Sequence, residues 1–522
     1  MTDAIVIGAG PNGLVAANML ADAGWGVVVL EAQPYPGGAV RSGELTVPGF
    51  SHDLFSAFYP LAAVSPAIRG LHLEDHGLVW RKAEVPLAHV FGDGRAAAVS
   101  LDVSETAESV DRFADGDGDA WRSLVEEWNV VGDAVVETFL GPFPPVGASL
   151  RLAGRLRRPH ALLEFARTAL MPVRRLTAER FCGEGASMLL AGNALHTDLA
   201  PESALSGLFG WLLAMLAQTV GFPVPEGGSG ALTDALVRRL EAAGGEVRCG
   251  AEVRAVTVEN GRATGVRLAG GELVAATGGI AADVIAPKLY RSLVGADHLP
   301  GRFVRDLDRF DLDHGTLKVD WALSEPIPWT DPVARRAGTV HLGEGMDHLA
   351  RFSSDLAAAR LPADPFILLG QMSRADPTRS PEGTETAWGY THVPNPIVSP
   401  GAVSWEGETV DRLVARVEEE VERRAPGFRA TILGRHVQTP VDLEAANANL
   451  MGGALNGGTA QLHQQVVFRP TIGRGGPATP VDGLYLASSS AHPGGGVHGA
   501  CGANAARAML RAARRRTALR GR

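Results

Sequence analysis

The chain has 522 residues, more than one ordinary core holds, so two closely joined domains are expected. Hydrophobic residues at 45% and charged residues at 20% match a globular protein, and the net charge of −10 argues against general nucleic-acid binding. Three scattered cysteines, Cys182, Cys249 and Cys501, form no CxxC pair, which excludes a zinc ribbon and a dithiol redox centre and leaves no metal site to expect. The first expected strand starts at Ala4, leaving no room for a leader, so the cytoplasm is the expected compartment.

Residues 4–7 form a short apolar run, and Gly8-Ala9-Gly10-Pro11-Asn12-Gly13 follows without a spacer. Helix formers occupy 14–23, Gly24 stops them, and Val27-Val28-Val29-Leu30 runs into Glu31. Strand, glycine turn, helix, strand and acid in this order are the βαβ dinucleotide fingerprint. Gly8 makes the turn, Gly10 lets backbone approach a pyrophosphate, and Gly13 lets helix and strand pack closely. The helix N-terminus offers free N–H groups to phosphate, and Glu31 can accept from a ribose diol. The fingerprint leaves FAD and NAD both open. A second glycine pair, Gly37-Gly38, and Arg41 just beyond it favour a bulkier cofactor with more phosphate to hold.

Residues 48–60 make an aromatic-rich loop carrying His52-Asp53, read either as a hairpin over the cofactor cleft or as a contact with its reactive face. Strands are expected within 80–98, and helices over 104–113 and 119–140. Residues 141–200 are helical but broken by prolines, with arginines clustered at 151–158 and at Arg174-Arg175. That cluster reads as a solvated face or as a docking surface for anionic lipid. Residues 204–224 hold no charge, yet glycines and polar groups dilute them, so a buried helix walling an apolar cavity and a monotopic membrane contact are the two readings. Pro225-Glu226-Gly227-Gly228 leads into a helix over 231–243, followed by strands at 246–249 and 252–259 and an Asn260-Gly261 hairpin turn. Alternating stretches at 316–323, 365–371 and 386–392 imply a sheet forming the floor of a substrate domain, and 409–425 is an acidic helix expected to face solvent. Residues 484–487 form a strand, and Pro493-Gly494-Gly495-Gly496-Val497-His498-Gly499 opens a helix over 500–513, a second dipole-bearing site.

The opening fingerprint, Glu31, the Gly38-Ala39-Val40-Arg41-Ser42 turn, the Pro48–Asp53 loop, Pro225–Gly228 and Pro493–Gly499 together resemble the phytoene desaturase-like FAD-dependent oxidoreductases. The branch named after pyridine nucleotide-disulfide oxidoreductase domain-containing protein 2 also resembles this chain at Lys318-Val-Asp-Trp-Ala-Leu323, Asp376-Pro377, Tyr390-Thr-His-Val-Pro394 and residues 464–470. The resemblance implies an α/β fold, a Rossmann-type FAD domain of the glutathione reductase and amine oxidase kind. That domain comes in discontinuous segments, 1–75, 225–288 and 438–522, interleaved with an α+β substrate domain from 76–224 and 289–437. It implies that Gly8, Ala9, Gly10, Asn12 and Gly13 hold the pyrophosphate and that Glu31 and Ala32 border the adenosine ribose. Gly38, Ala39 and Arg41 would flank the pyrophosphate and ribityl chain, Val253 would meet adenine, and Ser56, Gly495, Gly496, Val497 and His498 would approach the flavin ring.

The implied activity is hydride removal from a C–H bond of a lipophilic, isoprenoid- or polyene-like substrate, with electrons passed to oxygen or a quinone. No catalytic base stands out. His52, His392 and His498 are candidates, as are His463 and His492, only because histidine titrates near neutrality. A flavin amine or alcohol oxidase, and a flavoprotein with a regulatory role and little turnover, are the alternatives.

Overall fold

The opening strand, Ala4–Ile7, is the centre of a five-stranded parallel sheet in the computed structural model, which describes residues 2–142, 144–156 and 158–520. Val27–Leu30 pairs on one side and Gly279–Ala282 on the other, with Glu246–Arg248 and Leu484–Leu486 at the edges. The inner strands are wholly apolar and buried, as parallel strands covered on both faces must be. Val6, Val29 and Ala281 point to a core closed by helices Pro11–Asp22, Gly230–Ala242 and Ala500–Arg520. Ile5, Val28 and Ile280 point the other way, under a three-stranded meander of Val253–Glu259, Arg262–Leu268 and Leu273–Ala275. The meander turns at Asn260-Gly261 as expected, with Glu259 opposite Arg262.

The second sheet has seven strands in the order Ile432–Gln438, Gly315–Leu323, Glu385–Val393, Ile367–Gln371, Ala337–Leu342, Val85–Val90 and Ala96–Val99. Helices Asp117–Leu140, Glu184–Ala194 and Ser206–Thr219 cover one face, and Glu408–Arg424 covers the other. The uncharged stretch is thus a helix packed inside the protein, and Gln218 near its end accepts from the Trp121 indole at 2.9 Å. Among the described residues no helix is long and apolar enough to cross a membrane.

Two expectations shift. The helix expected at 104–113 is Val103–Asp111, because the Asp102 carboxylate caps it by accepting from Ser104 N at 2.8 Å. The acidic helix is not all solvated: Glu418 is buried and accepts from the Trp321 indole and from Arg435. The arginine cluster engages in surface ion pairs, Arg151 with Glu137 and Arg174 with Glu202 and Asp347, while Arg157 lies outside the described residues. The strand Ile432–Gln438 straddles the segment boundary expected at 437.

Candidate active site

The glycine turn after the first strand is packed too tightly for side chains. A Cβ on Gly13 would lie 2.1 Å from Gly8 O, so the helix Pro11–Asp22 can start where it does only with glycine there. Glu31 ends the second strand with its carboxylate accepting from Ala9 N at 2.8 Å and Gln33 N at 2.9 Å, which aims it at the turn. Beyond it, Gly38 backs onto Gly10, and Arg41 is buried, donating to Gly38 O and lying over the rings of Tyr35 and Phe55. Ala32 is exposed next to Glu31. Val253 starts the strand after Ala251, whose N–H donates to Glu31 O, and so stands on the Glu31 side of the sheet.

A cavity of about 1890 Å³, counting its open mouth, runs from this turn into the second sheet. Gly10, Asn12, Gly38, Ala39 and Ser56 line one end, Gly495, Gly496 and Val497 one side. Phe58, Phe139, Phe209, Phe222, Trp388 and Tyr390 line the other end. The cavity joins the glycine turn to the aromatic end in one continuous space. Its residues fit FAD. The buried Asn12 Oδ1 has no partner among the described residues, and the helix N-terminus beside it points into the cavity wall. Asp283 and Gly495–Val497, far away in sequence, line the same space.

Three cavity residues escaped sequence reasoning. Asp283 follows the strand Gly279–Ala282, and its Oδ2 accepts from Gly13 N at 2.9 Å, at the mouth of the turn. Burial, with Glu31 nearby, pushes its carboxyl up to about 7. Lys318 donates to Asp53 O at 2.9 Å and to the Asp320 carboxylate at 2.5 Å. Burial alone would raise Asp320, but Lys318 and His52 beside it hold it below its usual range. The third is His196, in the turn after helix Glu184–Ala194. The Lys-x-Asp spacing in an alternating strand could have signalled the Lys318–Asp320 pair, since residues two apart share a face. Asp283 and His196 carry no such signal.

None of the expected histidines lines the cavity. His52 is wholly buried, with Nε2 2.8 Å from Thr46 Oγ1 and Nδ1 3.6 Å from Asp320. His392 Nε2 lies 3.1 Å from Leu195 O, and burial lowers its pKa to about 4. His498 is buried behind Gly496, its Nδ1 accepting from Ala500 N at the helix start, and burial lowers it to about 4 as well. His492 is buried near Arg469, and His463 pairs with Asp311 at the surface. These rings were candidates by residue type alone, and each is committed to backbone, to a neighbouring side chain or to packing.

The profile of the family described as flavin containing amine oxidoreductase matches residues 12–285. The chain is 30% identical to the Rattus norvegicus protein called pyridine nucleotide-disulfide oxidoreductase domain-containing protein 2, over 98% of this chain and 93% of that relative. It is 25% identical to a lycopene-forming phytoene desaturase of Pseudescherichia vulneris, covering 98% of this chain and 99% of that one. Among solved structures, an oxidoreductase from Methanosarcina mazei superposes with a TM-score of 0.63 at 16% identity, over 98% of this chain and 100% of that chain.

Proposed function

The chain belongs to the flavin-containing amine oxidoreductase family, and from that premise we propose that it dehydrogenates a neutral, largely apolar, isoprenoid- or polyene-like molecule. It is an oxidoreductase and its cofactor is FAD. The observation that carries the substrate reading is the cavity wall. Among the described residues that line it, Asp283 and Lys318 alone bear charge, and Asp283 stands at the glycine turn. An ammonium entering the aromatic end would meet ring faces but no carboxylate to pair with, whereas an apolar skeleton packs on the same rings without losing hydration. A phytoene desaturase that aligns along nearly the whole chain supports the same reading.

FAD, when bound, supplies hydride acceptance from a C–H bond. In our reading Gly8, Ala9, Gly10, Asn12 and Gly13 hold its pyrophosphate, with Gly38, Ala39 and Arg41 opposite, and Glu31 and Ala32 border the ribose. Val253 stands at the adenine, and Ser56, Gly495, Gly496 and Val497 surround the ring end, with His498 behind Gly496. Phe58, Phe222 and Trp388 exclude water and orient the carbon skeleton. Lys318 Nζ donates to the Asp320 carboxylate and stands at the cavity wall, beside the place we give an electron-rich occupant. We assign oxygen or a quinone as acceptor, because no second strand-linked GxGxxG is present to hold a nicotinamide. The two-domain division at 75, 224, 288 and 437 is part of the same proposal.

A lipid surface is the second partner we propose. Leu150 and Leu163 are 68% and 70% exposed on helices Val146–Leu156 and Pro159–Leu170, beside Arg151, Arg155 and Arg158. The second of these helices packs on Ser206–Thr219, which lines the cavity, so an apolar substrate would pass from bilayer to cavity through this region.

Anaerobic mixing of the holoprotein with a polyene, a sterol and an amine, followed by visible flavin absorbance, tests the function. Bleaching by polyene or sterol is expected. Bleaching by the amine alone would favour the oxidase, and none by any class would favour the regulatory flavoprotein.

A further inference from the structure

A pair of histidines forms a polar corner in the otherwise aromatic end of the cavity. His196 lines the cavity, and its Nε2 lies 2.8 Å from Nε2 of His341, with the rings edge to face. His341 sits on the strand Ala337–Leu342, wholly buried, and its Nδ1 has no hydrogen-bond partner among the described residues. That atom looks onto Gly192 of the helix Glu184–Ala194, where a Cβ would come within 2.3 Å of it.

This geometry fixes the tautomers. Two ring nitrogens 2.8 Å apart share one hydrogen, so one donates and the other accepts. Were the hydrogen of His341 on Nδ1, a buried N–H would have no acceptor, which proteins avoid more strictly than an unused lone pair. His341 therefore donates from Nε2, His196 accepts at Nε2, and His196 carries its own hydrogen on Nδ1, the edge left for the cavity. Burial, with His392 nearby, lowers His196 to about 3, and burial with His196 and His89 nearby takes His341 well below its usual value, so both are neutral at pH 7.

We propose that His196 is a specificity-determining residue that donates from Nδ1 to an oxygen of the substrate, a carbonyl, ether or hydroxyl on an otherwise apolar skeleton, and that His341 is the positioning residue that sets this tautomer. The proposal rests on the reading of an apolar substrate above. The neighbours agree with it. Thr339, two residues before His341 and so on the same face of the sheet, lines the cavity with its Oγ1 buried and unpaired among the described residues. Tyr390 lines the same end, stacked on Trp388. One oxygen acceptor at this corner would meet several donors, while a pure hydrocarbon would desolvate them without replacement.

The test uses two probes with one carbon skeleton, limonene and carvone, which differ by a ring carbonyl. Their dissociation constants for the holoprotein are read from quenching of tryptophan fluorescence, and the readout is the ratio of the two. Wild type is expected to bind carvone about five-fold tighter, the weight of one neutral hydrogen bond. His196→Phe should bring the ratio to about one with limonene binding kept. His341→Leu should lower it, and His341→Gln, whose amide keeps a donor, should restore it. Loss of packing alone would weaken both probes equally and leave the ratio unchanged. Flavin content reports folding of each variant; if His341→Leu loses its flavin, His196→Phe and His341→Gln decide. Equal binding of the probes to wild type, or an unchanged ratio in His196→Phe, overturns the proposal while the apolar reading stands. If neither probe binds the wild type, both fall.

Discussion

Gly10 and Asp283 face each other across the mouth of the nucleotide turn, and their geometry yields two predictions. A Cβ on Gly10 would come 2.6 Å from Asp283 Oδ2, in the space our proposal gives the pyrophosphate. Gly10→Val is therefore expected to give a folded but colourless protein, with flavin content per chain falling at least ten-fold. A variant purified yellow at full occupancy would refute the assignment. Asp283 is held up to about 7 by burial and by Glu31, and a bound pyrophosphate adds negative charge to the same turn. Its pKa is thus higher with FAD than without, so binding takes up a proton wherever the free site is ionised. Affinity should be greatest below pH 7 and fall as pH rises through and above it, by up to about ten-fold per pH unit. Asp283→Asn should flatten the profile, measured by fluorescence titration of the deflavinated protein. At this scale the glycine turn with Glu31 beside it was legible in sequence, because a strand-to-helix turn this tight admits only glycine at Gly13. Asp283 was not, for its only role-giving contact spans 270 positions.

The hairpin of Ser42–Glu44 and Ser51–Asp53 shows what an element adds. Its ends were legible from Pro48-Gly49, but whether His52-Asp53 face the cofactor was left open. In the folded chain they pin the hairpin to its neighbours. Asp53 accepts from Ser229 N and Ser42 Oγ through one oxygen and from Arg379 through the other, and its carbonyl accepts from Lys318. Arg379 and Asp53 are both fully buried, so removing one leaves the other charged and unpaired. Asp53→Ala should cost about 3–5 kcal/mol of stability, seen as a lower denaturant midpoint. Replacing both, Asp53→Ala with Arg379→Met, should recover part of that loss. The uncharged helix Ser206–Thr219 was legible as a buried wall because its composition admits few other places. The acidic helix was misread at Glu418, because the Trp321 indole that accompanies it inward lies 97 positions away.

Over the whole molecule, the parallel sheet was legible from its βαβ start and its return helix. The seven-stranded sheet was legible only in part. Ala337–Leu342 is buried on both faces, so its alternation of Thr339 and His341 with Val340 and Leu342 marks no solvent side, and Ile432–Gln438 pairs with a strand more than a hundred positions away. Register of that kind is set by burial of a shared face, not by local pattern. Because the cavity wall draws on segments from Gly10 to Val497, bound FAD should stabilise the entire chain. At a hundred-fold excess over its Kd it should add about 2.7 kcal/mol, seen in calorimetry as a concentration-dependent rise of the unfolding midpoint. The edge strand Leu484–Leu486 and the helix Ala500–Arg520, which packs on Pro11–Asp22, carry a last consequence. Ribosomes add about 5–20 residues per second, so the first helix waits roughly half a minute or longer for its partner to be synthesised. During that delay a nascent chain exposes an unfinished sheet edge, a template for wrong pairing that calls for chaperone shelter. Cofactor capture should then wait until Gly495–Val497 have been synthesised, and a chain truncated before them is expected to stay colourless.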